Sequence, residues 1–184
     1  MKTGRFFVMA LLALALSACK DDRSAALPAP HEPGPDAVGT ICRMDLAEHT
    51  GPKGQVFIKS QDKPLWFSSV RDTFTWLLID EGTGRQFAAI YVNDMGKSSS
   101  WEKPDAGAWI EARKALFVTG SDRGADMGGG ELVPFSTRAL AQEFAGKHGG
   151  AVVEYSEITS ELLAQTGVAP PGPAATHASR GHHE

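Results

Sequence analysis

Apolar residues fall in the same order twice along the middle of the chain. Residues 55–59 (QVFIK) and 64–67 (PLWF) are short runs rich in β-branched and aromatic side chains, and read as strands. Ser68 and Ser69 then open a helical pattern that carries Phe74, Trp76, Leu77 and Leu78, and residues 87–92 (FAAIYV) form a third strand. The second half repeats this with residues 115–119 (ALFVT) and 131–135 (ELVPF), a helix after Ser136 and Thr137 bearing Leu140, Ala141 and Phe144, and a closing strand at 151–155 (AVVEY). The joints match: Phe67-Ser68-Ser69 corresponds to Phe135-Ser136-Thr137. In both, a hydroxyl can accept from the free N–H groups at a helix start, and Gly149 with Gly150 ends the second helix. The expectation is an α+β fold of two small β-β-α-β repeats. Units this small bury too little surface to stand alone, so the two are expected to pack together. Trp101 and Trp109, in the connection, are expected to cover a sheet edge.

The flanks lack this pattern. Lys2 and Arg5 precede an apolar stretch at 6–16 (FFVMALLALAL), followed by Leu16-Ser17-Ala18-Cys19. Positive charge, a short apolar run and small residues describe a secretory signal rather than a membrane span. The Leu-Ser-Ala-Cys tetrapeptide resembles a bacterial lipobox, which implies cleavage before Cys19 and lipid on its sulfur. At about 0.8 kcal/mol per buried CH₂, two or three acyl chains hold a protein firmly on a membrane. Lys20 after the cysteine, with no aspartate there, leans towards the outer membrane. Pro28, Pro30, Pro33 and Pro35 mark an extended tether, and the Pro/Ala/Gly-rich C-terminus is expected to be disordered. The resulting division is 1–18 signal peptide, 19–38 lipidated cysteine and flexible tether, 39–95 first unit, 96–160 second unit and 161–184 disordered tail.

Composition narrows the function. The chain of 184 residues is 42% apolar and 22% charged with a net charge of −4, ordinary for a globular protein. Lys and Arg are scattered, which argues against a nucleic-acid binder. Two cysteines exclude a four-cysteine zinc site, and with Cys19 lipidated Cys42 is left as the single thiol. No nucleophile-elbow, HExxH or phosphate-loop pattern is present, so no catalytic constellation stands out.

The chemically informative pair is Cys42 and Met44. On an extended strand they point to one side and offer a thiolate and a thioether, both soft ligands that favour Cu(I). A third ligand has several candidates: Met127 on a glycine-rich loop, Met95 at a strand end, His49 seven residues beyond Cys42, and His148 at a helix end. His177, His182 and His183 in the tail are at most auxiliary. Competing readings are a tethered adaptor without metal transfer, a thiol enzyme using Cys42, and a zinc store in the tail.

Taken in order, the lipobox Cys19, Cys42-x-Met44, Gly51-Pro52-Lys53-Gly54-Gln55, Tyr91-Val92-Asn93-Asp94-Met95-Gly96, Trp101 with Pro104, and Ala112-Arg113-Lys114-Ala115 form a specific set. Val118-x-Gly120-Ser121, Met127-Gly128 and His148-Gly149-Gly150 complete it. Together they resemble the NosL family, accessory lipoproteins of nitrous oxide reductase assembly. The resemblance implies a periplasm-facing, non-enzymatic Cu(I) chaperone that supplies the reductase's copper–sulfide centre through an ABC-type maturation complex. It maps the copper motif onto Cys42 and Met44; the residues themselves leave the third ligand to Met127, with Met95 or His49 the alternatives. The family often has glycine between the two sulfur residues; here Arg43 stands there.

Overall fold

The structure is a computed structural model that describes residues 27–166. The signal segment, Cys19 and the tail histidines lie outside the described residues.

Ten elements follow in chain order: β1 (Gly54–Ile58), β2 (Leu65–Phe67), α1 (Val70–Asp80), β3 (Phe87–Asn93), β4 (Trp109–Glu111), β5 (Leu116–Thr119), β6 (Val133–Phe135), α2 (Arg138–His148), β7 (Ala151–Glu154) and α3 (Ser160–Thr166). They make two antiparallel sheets, β2-β1-β3-β4 and β6-β5-β7. The duplicated joints are real. Ser69 and Thr137, both in extended backbone, cap α1 and α2 by accepting from Asp72 N and Leu140 N. Trp109 lies in a fourth strand of the first sheet, where the sequence suggested an edge cover.

The layers follow from side-chain alternation. In the first sheet Val56 pairs with Ile90 and faces α1, while Phe57 pairs with Ala89 and faces the other way. In the second sheet Val118, Val133 and Phe135 face α2, and Phe117 and Val153 point to the first unit. Helix α1 is therefore packed on both sides. Phe74 stands edge-on to Phe117 at 5.2 Å between ring centroids, inside a core that also takes Leu132, Ile158 and Leu163. The two units share this core, as their size requires.

Two buried carboxylates cross the junction reciprocally. Glu131 accepts from Arg71 N at the start of α1 and from Leu132 N, each at 2.8 Å. Asp94 accepts from Ser136 N, beside the start of α2, at 3.1 Å. A helix start leaves backbone donors free, and here each unit supplies an acceptor for the other. Glu131, expected within a strand, is consequently turned inwards ahead of β6.

Two expectations about the flanks are corrected. The tether, expected flexible over 19–38, is tied to the first sheet at Pro28, His31 and Glu32. Pro28 O accepts from Tyr91 Oη, His31 exchanges two hydrogen bonds with the Gln55 side chain, and Glu32 accepts from Gly107 N and Trp109 Nε1. The outer sheet face carries Phe57, Tyr91 and Trp109, and this strap shields that apolar surface. The tail was expected to begin at 161, yet residues 161–166 continue helix α3 because Leu163 is buried in the shared core.

Candidate metal site

The segment 38–45 forms a closed turn. Val38 and Asp45 bridge its base, Leu46 N donates to Ala37 O, and Gly39 N donates to Met44 O at 3.0 Å. Thr40 N donates to Trp66 O, which fixes the turn to the free edge of β2. Buried Leu46 plugs it into the core beneath. Cys42 and Met44 are therefore not alternating strand positions. Reversing the chain in so few residues demands a left-handed backbone, and Arg43 supplies it with φ of 60°. That conformation is adopted readily by glycine and at a cost by other residues. A Cβ on buried Gly39 would collide with Cys42 Sγ, so the turn is shaped around the sulfur.

Immediately after the turn, a short 3₁₀ segment, Leu46–Glu48, delivers His49. Its ring is buried, with Nε2 3.6 Å from Cys42 Sγ and Nδ1 3.0 Å from Asp126 Oδ2. The other carboxylate oxygen of Asp126 accepts from Thr50 Oγ1 at 3.1 Å. Asp126 comes from the glycine-rich loop of the second unit, closed by a Gly124–Gly130 bridge. Met127 is the next residue on that loop.

The surroundings are apolar and open. Met44 is 42% exposed and Met127 59%, and Val38 and Ile41, on the same turn as Met44, are exposed as well. Behind His49, Lys53 is buried and donates to Thr50 O and Gly51 O, holding the chain that follows the ring. Burial pushes its ammonium down to about 8, against the upward pull of the Glu131 and Asp126 carboxylates.

The other candidates are engaged elsewhere. Met95 packs into the core of the second sheet, and its N–H donates to Pro134 O. His148 bonds Asp122 and stacks on Phe144. Among the described residues no group of three or more His, Cys, Asp or Glu side chains is placed to hold a metal ion by itself. The donor set is one thiol, one imidazole and exposed thioethers, which suits a soft monovalent metal better than an oxygen-seeking divalent one. Asp126 escaped sequence reading: it stands 77 residues from His49, and no local spacing announces the contact.

Fold and site define a two-unit α+β scaffold that brings a cysteine thiol and a buried imidazole to 3.6 Å of each other. A sequence model of the NosL family matches residues 30–163. The copper-binding lipoprotein NosL of Achromobacter cycloclastes is 41% identical over 165 residues, covering 89% of this chain and 84% of that protein. The copper-binding lipoprotein NosL of Stutzerimonas stutzeri is 36% identical over 143 residues, covering 78% and 73%. The crystal structure of the copper chaperone NosL from Shewanella denitrificans superposes with a TM-score of 0.65 at 34% identity, covering 73% of this chain and 99% of that one. The chain belongs to the NosL family.

Proposed function

We propose that this chain carries Cu(I) on Cys42, Met44 and His49, with Met127 as the outer thioether, and releases it by ligand exchange. The observation that carries this reading is the 3.6 Å separation between Cys42 Sγ on the turn and the buried His49 Nε2 that follows it. With bonds of roughly 2.3 Å to sulfur and 2.0 Å to nitrogen, as at zinc, a metal spans that gap at an angle of about 110°. The copper-binding names of the relatives support the same reading.

Asp126 Oδ2 stands 3.0 Å from His49 Nδ1, so that the other ring nitrogen, Nε2, faces the thiol. Metal loading replaces the thiol proton: the S–H bond breaks, the Cu–S bond forms, and the proton leaves to solvent. The thioethers complete a set that a partner's donors can displace one at a time, so the metal transfers without entering bulk water. This is exchange, not catalysis.

Lipid on Cys19 holds the carrier on the periplasmic side of a bacterial membrane, with the outer membrane favoured. No described helix is long and apolar enough to cross a membrane. The recipient is the copper–sulfide centre of nitrous oxide reductase, reached through its ABC-type maturation complex.

An anaerobic Cu(I) titration against a strong chelator tests the site on mature protein without lipid. One-to-one binding that weakens at least a hundredfold in Cys42→Ala, and less in Met44→Ala, is expected. Affinity indifferent to both changes overturns the reading. Reductase from cells carrying Cys42→Ala is expected to lack copper in that centre, and a fully loaded enzyme refutes the delivery role.

A further inference from the structure

We infer that residues 28–36 are a release strap for the metal turn: docked on the first sheet they pin the base of the Cys42 turn and screen its floor, and undocked they free both. The inference rests on the Cu(I) reading of the Cys42 site.

The strap is held at points rather than packed along its length. Pro28 O, the two His31 bonds to Gln55 and the Glu32 carboxylate tie its first half to the sheet. Glu32 is the tie nearest the turn, and one of its oxygens accepts from both Gly107 N at 2.8 Å and Trp109 Nε1 at 3.0 Å. Residues 33–36 are exposed. A cavity of about 320 Å³ lies between Pro33 and Pro35 on the strap and Leu46, His49 and Trp109 on the body.

The next fixed point after Glu32 is Ala37. Its N–H donates to Gly34 O, and its carbonyl accepts from Leu46 N at 2.7 Å, which closes the base of the turn beside the Val38–Asp45 bridge. Pro33 and Pro35 each fix their backbone angle φ, so the link is short and stiff, and the position of Glu32 is passed on to Ala37. Release of Glu32 frees Ala37 to draw away from Leu46. It also admits water to the cavity behind His49, which is 4% exposed while the strap is docked. Donors that are no longer held in place bind a metal less tightly, because their ordering must then be supplied on binding. With lipid on Cys19, residues 20–28 lead from the anchor to the first tie, a reach of about 30 Å at most, and release as far as Ala37 doubles it. One event thus carries the turn towards a recipient and loosens its hold on the cargo.

Amide hydrogen exchange in apo protein reads the hold on the turn at Leu46 N–H and Gly39 N–H, which bond Ala37 O and Met44 O. Glu32→Ala is expected to speed exchange at both roughly tenfold. It is also expected to weaken Cu(I) binding about tenfold, the size of one hydrogen bond to a charged group. Amides in the middle of β1 and β3 are expected to exchange as in the wild type, since the sheet stays folded. Glu32→Gln keeps the acceptor oxygen and is expected to restore both readouts. Tyr91→Phe frees only Pro28, upstream of Glu32, and is expected to leave the turn and the affinity unchanged. Wild-type exchange at Leu46 and Gly39 in Glu32→Ala overturns the inference. So does unchanged Cu(I) affinity in Glu32→Ala when Cys42→Ala abolishes binding. If Cys42→Ala binds as the wild type does, the copper reading fails, and the exchange rates by themselves then report whether the strap holds the turn.

Discussion

Replacing Glu131 by glutamine isolates the electrostatics of the unit junction. Its carboxyl is 1% exposed, and burial pushes it from the ordinary 4.5 up to about 8. Backbone N–H groups of Val70, Arg71 and Leu132 pull the other way, and the carboxylate of Asp72 adds to the rise. A proton held more tightly by the folded state stabilises it fully below 4.5, and that stabilisation is lost as the pH climbs through 8. At about 1.4 kcal/mol per pH unit, the whole effect has an upper bound of about 5 kcal/mol. Glutamine keeps the oxygen that the helix N–H groups need and does not titrate. Lys53, held down to about 8, stays protonated in both states through most of this window, and Asp72 cancels when the curves of the two proteins are subtracted. Chemical denaturation from pH 5 to 9 is therefore expected to show Glu131→Gln gaining on the wild type as pH rises, with the difference levelling above 8. A flat difference from pH 5 to 8 refutes the reasoning: Glu131 would then be ionised throughout, carried by the three N–H groups and the Lys53 ammonium.

Two further changes test the turn and the core. Arg43→Gly relieves a left-handed residue, and denaturation is expected to show a gain of about 1 kcal/mol after glycine's own chain entropy is counted; a loss would show that the Arg43 side chain makes up for its backbone. Phe117→Ala removes a fully buried ring from the core of both units, and calorimetry is expected to show a loss of about 3–5 kcal/mol in a single transition. Two separate transitions would show that the units do not share one core.

Much of this molecule is legible in its local pattern. Strand alternation, the helical stripes and the hydroxyl caps Ser69 and Thr137 are short-range properties, set by backbone sterics and the free N–H groups of a helix start, so the two β-β-α-β units could be read directly. The soft donors Cys42 and Met44 were visible by residue type. What no spacing encodes is which distant groups meet. The strap over Phe57 and Tyr91 exists because the first sheet has a second apolar face to shield. Glu131 leaves its strand because α1 has free donors across the junction. Helix α3 runs past residue 160 because Leu163 finds the shared core. The local geometry at Cys42 was misjudged too, since a closed turn rather than a strand presents the sulfurs, and only the bridge from Val38 to Asp45 decides that. Residue type thus determined the chemistry on offer, and packing of the two units determined its assembly: His49 and Asp126 meet because burying one core between two small units brings their loops to the same edge.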